Sequence, residues 1–505
     1  MEQVLLIDAG AKLHYWNTDT GEVRQVGQVP GGRAYSDMTV TPEGEIYAVA
    51  GTELYQIDRV NLSLTALTSL GSATTAGLGH TPDGLLLVGY RDAGRIDIVN
   101  PATLETTGSI DMGDSRTSGD VVADDDFIYV ATIGQTIEVY DRATGLLQSS
   151  TPHGLGGIVF ALALDEDGVI AFAGQSAYRV ASDGTQNTTL LQNLALGTET
   201  YGASALPDLT IEGTEDLDEL TGTPWNDTLI GLGDDDFIDG GAGEDLAVYA
   251  GDRDQYSIRI LGDAIRIEDR SGAAGDDQVS NVEALQFDDQ TWDLDRFVDL
   301  AGLSPADLTQ FVEMYIAYFN RAPDAEGLFF WGSALNNGTS LEEIAALFFD
   351  QTETRLLYPE GTTTGEFVMS VYGNVLGRAI DQAGFDFWVQ VLDAGDVDRP
   401  TFMLEILQGA KAPAPDGASQ EFIDQKAADV AYLSDKTDLG TYFSVILGMS
   451  DVTDARGTMA LFDGTPASLT AAKDAIDAAY ADALDADDGE FLLSLVGVVD
   501  DPFMM

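Results

Sequence analysis

Four aspartates stand nine residues apart, at Asp218, Asp227, Asp236 and Asp245. A glycine precedes each by five residues, at Gly213, Gly222, Gly231 and Gly240, and Gly233 falls inside the third unit. Carboxylates at a fixed interval among glycines suit the binding of a hard cation. Calcium takes about six to eight oxygens, and glycine lets main-chain carbonyls turn toward an ion while aspartates add charge. In the bare chain the same acids repel one another, so a cation would relieve what the sequence leaves uncompensated. An acidic flexible linker has this composition too, but not the strict phase.

A second, looser constellation is the pair Asp37 and Asp120, each near the start of a repeated strand. Two carboxylates facing a channel could act as general acid and base on a glycosidic bond. The same residues could equally line a turn or channel without chemistry. The three histidines, His14, His80 and His153, are scattered without metal-ligand spacing. There is no His-Glu-x-x-His, no Gly-x-Ser-x-Gly elbow, no phosphate-binding glycine loop and no dinucleotide fingerprint. The chain has no cysteine, which excludes disulfides and thiolate metal sites.

Composition narrows the partners. Against 23 basic residues stand 86 acids, a net charge of −63. That field disfavours nucleic acid and anionic membrane surfaces and favours cations or basic partners. No apolar run reaches the roughly eighteen residues of a membrane span, so no membrane insertion is expected. With 505 residues, 44% of them hydrophobic, the chain has enough for several folded domains.

The elements that must carry these residues fall into successive regions. Over the first two hundred residues a pattern returns about every 41, as in "TPEGEIYAVAGTELYQIDR" from Thr41 and "TPDGLLLVGYRDAGRIDIVN" from Thr81. Each unit reads as short strands joined by acid-glycine turns, the period of a four-stranded propeller blade. The N-terminal "VLLIDAGAKLHYWNTDTGEV" lacks a first strand, and "YGASALPD", Tyr201 to Asp208, looks like that missing strand. Joined, they complete a five-bladed propeller over residues 1–208. The pattern resembles WD-repeat-like and NHL-repeat-like families in a generic way only.

From Ile211 the chain reads in nines: "GTEDLDELT", "GTPWNDTLI", "GLGDDDFID", "GGAGEDLAV". Position one is glycine, position six aspartate, and position eight apolar, at Leu220, Leu229, Ile238 and Ala247. These units resemble the RTX, or hemolysin-type, calcium-binding nonapeptide. The resemblance implies a parallel β-roll in which units two apart stack, Asp218 over Asp236 and Asp227 over Asp245, with calcium as the bound ion. Glu215, Asp216 and Pro224 depart from the family's glycines in the first two units. The strand-like stretches "YSIRILGDAIRIEDRSG" and "NVEALQFDDQTWDL" then finish the segment, which resembles the serralysin-type β-roll over residues 209–300.

Beyond residue 301 the pattern turns helical. "FVEMYIAYFNRAPDAEGLFFWGSAL" and "FVMSVYGNVLGRAIDQAGFDFWVQVL" are copies about 57 residues apart, matching Arg321 with Arg378, Asp324 with Asp381, Gly327 with Gly384 and Trp331 with Trp388. Each reads as helix, tight turn, helix, with Pro323 early in a helix and Asp324 in its first turn. Trp and Phe residues read as core, and Asp324 and Asp381 as caps rather than catalysts. These units resemble a bacterial domain family of unknown function found in exported and surface-layer-like proteins, and the helical repeats are expected over 301–484.

The last stretch, 485–505, pairs acids with short apolar runs and ends "PFMM". It resembles the uncleaved C-terminal signal of type I secretion substrates. The N-terminal "MEQVLLIDAG" has an acid where a secretory signal wants a basic segment. The expectation is therefore an extracellular calcium-binding protein exported by type I machinery, acting in surface binding, adhesion or assembly. Its partners would be calcium ions and cell-surface glycans or proteins, or further copies of itself. The alternatives are a secreted glycosidase-like hydrolase with its site in the propeller, and a surface-layer structural protein.

Overall fold

The computed structural model describes residues 3–504 apart from 166, 182–187, 208, 263 and 487. Asp208, at the end of the expected closing strand, and Met505, the last residue of the tail, lie outside the described residues. Two compact units emerge. The first holds residues 1–211 with Thr221–Thr228 and Gly241–Asp245, and the second holds Glu212–Leu220, Leu229–Gly240 and Leu246–Met505.

The first unit is a five-bladed β-propeller, each blade a four-stranded antiparallel sheet. Alternating apolar residues build it: Ile46, Ala48, Leu54 and Ile57 are buried along one blade, and Ile128, Val130 and Ile137 along another. The ring closes by sharing one blade between distant parts of the chain. Thr200–Leu206 pairs antiparallel with Gln3–Asp8, Leu5 opposite Ser204, and the blade continues through Lys12–Asn17 and Val23–Gln28. The closure expected from the incomplete N-terminal repeat is what forms, because it leaves no unpaired edge inside the ring. Trp16 seals this blade against the next, its ring meeting Phe172 edge-on at 5.9 Å.

Inner strands crowd at the propeller's centre. A Cβ on Gly79 would lie 1.6 Å from the carbonyl oxygen of Val121, so this strand position admits no side chain.

The Gly/Asp-rich segment alternates between two sheets. Leu209–Glu212, Asp227–Ile230 and Leu246–Val248 lie in one, and Glu219–Thr221 and Phe237–Asp239 in the other. The position-eight side chains Leu220, Leu229, Ile238 and Ala247 are all buried, as their spacing predicts. The second of these sheets continues in the order Asp276–Ser280, Ala264–Asp269, Tyr256–Leu261 and finally Leu492–Leu495. That last strand was expected within a secretion-signal-like tail. It is buried and paired in parallel with Tyr256–Leu261, Ser257 beside Leu492.

A helical region follows. The two copies form Pro305–Phe319 with Ala325–Asn336, and Thr364–Leu376 with Gln382–Ala394. Asn320 and Gly377 close the first helix of each copy in the left-handed conformation. Asp324 and Asp381 are N-caps, accepting from the amides of Gly327 and Gly384. Pro323 thus precedes its helix, and Asp324 stands at the cap rather than in the first turn. A capping carboxylate must sit in extended backbone for its oxygen to reach the amide three residues on, which is where the residue after Pro323 is placed. Arg321 holds Glu353 at 3.0 Å, while its counterpart Arg378 holds Asp429 at 2.6 Å. Trp331 and Trp388 pack on Phe348 and Phe402 but are only half-buried, short of the core position their type suggested.

Gly79→Ala tests the crowded centre. The propeller is expected to lose at least about 2 kcal/mol, from overpacking against a main-chain oxygen that cannot withdraw. Urea unfolding followed by tryptophan fluorescence measures the loss; a midpoint equal to wild type would contradict it.

Candidate functional site

The nine-residue spacing brings the predicted aspartates together in two columns. In the second unit, Asp218 Oδ2 accepts from the Thr214 amide at 2.5 Å and from its hydroxyl at 2.9 Å. The amide of Asp218 donates to Asp236 Oδ1 at 2.8 Å. In the first unit, Asp227 Oδ2 accepts from the Thr223 amide and hydroxyl, and the Asp227 amide donates to Asp245 Oδ1 at 2.8 Å. Asp236 and Asp245 thus each tie their loop to the loop eighteen residues earlier, carboxylate to amide. Such charge-assisted bonds are among the stronger hydrogen bonds in proteins.

Two oxygens are left over. Asp227 Oδ1 and Asp236 Oδ2 are buried with no hydrogen-bond partner. Burial raises both carboxyls above the usual range, only partly offset by the amides that reach them. A buried carboxylate oxygen without a partner is costly, and a cation is one way to satisfy it.

The glycines serve close approach. A Cβ on Gly231 would lie 2.3 Å from Asp236 Oδ2, and one on Gly233 would lie 3.1 Å from Glu215 Oε2. Gly222 lies beneath Gly241, whose own Cβ would come 2.8 Å from the Thr223 carbonyl. Gly240 donates its amide to the Ser280 carbonyl at 3.0 Å. Among the described residues no three histidine, cysteine or acidic side chains cluster as a metal site. A cation at these loops would have to draw most of its oxygens from the main chain.

One member of the array escapes the nine-residue count. Phe237–Asp239 pairs in parallel with Asp276–Ser280, Phe237 beside Gln278, so Asp277 comes next to Asp236. The Asp236 amide donates to Asp277 Oδ1 at 2.9 Å, repeating the bond between Asp218 and Asp236. Likewise the Asp276 amide reaches Asp235 Oδ1 as the Glu244 amide reaches Asn226 Oδ1, each at 3.0 Å. A Cβ on Gly275 would meet the Asp234 carbonyl at 2.1 Å, as one on Gly243 would meet that of Trp225 at 2.8 Å. The stretch "GAAGDDQVS", Gly272 to Ser280, is thus a fifth loop of the same kind, set out of phase by the hairpin Tyr256–Asp269. Its glycines and Asp277 were the legible signal.

Asp37 and Asp120 lie at the propeller's centre, both fully buried. Asp37 accepts from the amides of Met38 and Leu78, and Asp120 from those of Val121 and Leu162, all between 2.7 and 2.9 Å. Leu78 and Leu162 belong to the blades that follow, so each aspartate ties neighbouring blades. Burial raises both carboxyls well above the usual range, and each is in reach of the other. With no surface to meet a substrate and every oxygen bonded to an amide, the pair forms a structural tie. The histidines are likewise engaged singly: His14 with Asp8, His80 with Thr39, and His153 with the Leu155 amide. Burial lowers His80 to about 4, which keeps it neutral.

Comparisons with known proteins speak to parts of the chain. The family model described as "Domain of unknown function (DUF4214)" matches residues 345–412, within the helical repeats. No calcium-binding repeat family is found over the Gly/Asp segment. No curated protein matches. Among solved structures, a protein of unknown function from Bacteroides caccae is 17% identical, the match covering 37% of this chain and 71% of that one with a TM-score of 0.27. Kuenenia stuttgartiensis hydrazine synthase is 18% identical over 31% of this chain and 49% of that chain, TM-score 0.26. Staphylococcus aureus virginiamycin B lyase is 11% identical over 35% of this chain and 62% of that chain, TM-score 0.26. The propeller assignment rests on this chain's own sheets.

The central pair has a consequence for pH. Well below pH 4 both carboxyls are protonated in the folded and unfolded states. As pH rises, the unfolded carboxyls ionise while the folded ones hold their protons, so stability falls with rising pH until the folded pair ionises too. Asp120→Asn is expected to flatten this decline between about pH 4 and 7 in propeller melting temperatures. An unchanged slope would show that the pair does not carry it.

Proposed function

We propose that this chain is a calcium-dependent extracellular binding or assembly protein whose Gly/Asp segment is a calcium-binding β-roll. The observation that carries the reading is the pair of buried, unpartnered oxygens on Asp227 and Asp236, each in a glycine loop held one above another. Asp218, Asp227, Asp236 and Asp245 would supply the carboxylates, and the loops at Gly222, Gly231, Gly233 and Gly240 the close main chain. Where free calcium is scarce, repulsion among the acids disfavours the roll. At external calcium, affinities of about 10⁻⁴ to 10⁻³ M would suffice to fold it.

Export by type I machinery, with residues 485–505 as its address, belongs to this reading. Because Leu492–Leu495 is a buried strand once folded, the address would be read before folding. The propeller would present a rigid disc to glycans or proteins through its loops, and the helical repeats would pack on a surface or on other copies. The hydrolase alternative loses support, since its two candidate carboxylates are sealed from solvent.

Thermal melts in calcium and in chelator test the proposal. At ten times the dissociation constant each site is expected to add about 1.4 kcal/mol. Asp227→Asn and Asp236→Asn should each remove part of that gain while leaving the melt in chelator close to wild type. Superimposable melts in calcium and chelator would sink the reading.

A further inference from the structure

Within the second unit a cavity of about 560 Å³ opens beside the end of the Asp218, Asp236, Asp277 column. That is the size of a small-molecule site rather than of a bare ion. Its walls are largely carbon, with Leu232, Val248 and the rings of Tyr249 and Tyr256 facing it. Every charged residue on its lining is an acid.

These acids are not equivalent. Asp269 is spent, accepting from the amides of Ser271, Ala273 and Ala274 and from the Ser271 hydroxyl. Asp277 is 1% exposed and uses Oδ1 for the Asp236 amide. Beside it Tyr249 is 4% exposed, its hydroxyl facing Asp277. So the cavity presents a buried hydroxyl beside a buried carboxylate, no basic residue on the lining, and aromatic faces.

An anion would meet only acids here, and a neutral ligand would leave the carboxylate without a counter-charge. A divalent ion needs about six to eight oxygens converging on one point, and among the described residues no three acidic side chains cluster in that way. We propose that this cavity binds a small organic ammonium, an amine bearing an apolar group about the size of a phenyl ring. The ammonium donates to the Asp277 carboxylate and to the Tyr249 hydroxyl, which in turn donates to Asp277. The apolar group rests on Val248, Leu232 and the Tyr256 ring, where a cation is also attracted by the aromatic face.

Calorimetric titration of the full chain in calcium at physiological salt, where the roll is folded, tests this, with phenethylamine as probe and 2-phenylethanol as its uncharged counterpart. Phenethylamine is expected to bind saturably, one per chain, and the alcohol at least about tenfold more weakly. Asp277→Asn should weaken the amine about tenfold and Tyr249→Phe several-fold, while Glu342→Gln, an exposed helix residue, should change nothing. The net charge of −63 attracts any amine, but one carboxylate scarcely alters that field, so loss in Asp277→Asn reports the site. If Asp277→Asn does not fold, Tyr249→Phe and the amine-to-alcohol ratio decide. Absence of saturable binding, equal binding of amine and alcohol, or undiminished binding in a folded Asp277→Asn or Tyr249→Phe variant would overturn the proposal. The melts in calcium and in chelator judge the calcium reading separately, so its failure and the failure of this proposal are distinguishable.

Discussion

A carboxylate accepting from a main-chain amide is the bond on which this chain depends at every level. In the propeller, Asp37 and Asp120 reach across to amides of the next blade. In the glycine loops, Asp236, Asp245 and Asp277 each take the amide of another aspartate. Among the helices, Asp324 and Asp381 take the amide three residues on. Where the acid is ionised such a bond is stronger than a neutral one, and it converts part of an otherwise repulsive charge excess into ties between elements. The remaining acids can stay in water, where like charges cost little.

Much of the architecture was legible because it is periodic. The 41-residue repeat and the incomplete first blade pointed to five blades and to their closure by Thr200–Leu206. The helix caps were legible from Asp followed at three residues by Gly, a local signal that needs no tertiary knowledge. The strand Leu492–Leu495 was not, because its partner Tyr256–Leu261 lies more than two hundred residues away and no local pattern points to it. The loop at Gly272–Asp277 was hidden for a related reason. A hairpin interposed after the fourth unit destroys the phase that made the first four visible, although spacing within the loop survives.

Residue type misleads where solvent access decides. Asp37 and Asp120 have the chemistry of an acid–base pair, and a sequence cannot tell a channel wall from a sealed centre. Both are fully buried, and their oxygens accept from main-chain amides. Asp227 and Asp236 are also buried, but each keeps an oxygen that no amide claims. The difference lies in the count of donors within reach, which depends on how loops stack rather than on which residues they contain.

The shared blade has a temporal consequence. Gln3–Asp8 leaves a ribosome about two hundred residues ahead of its partner Thr200–Leu206. At synthesis rates of about 5–20 residues per second, the opening strand waits roughly ten to forty seconds before its blade can be completed. Throughout that interval the nascent ring is a curved, open stack with two unsatisfied rims. Latching is therefore a late, single event, and until it happens the propeller remains an object that can still be threaded.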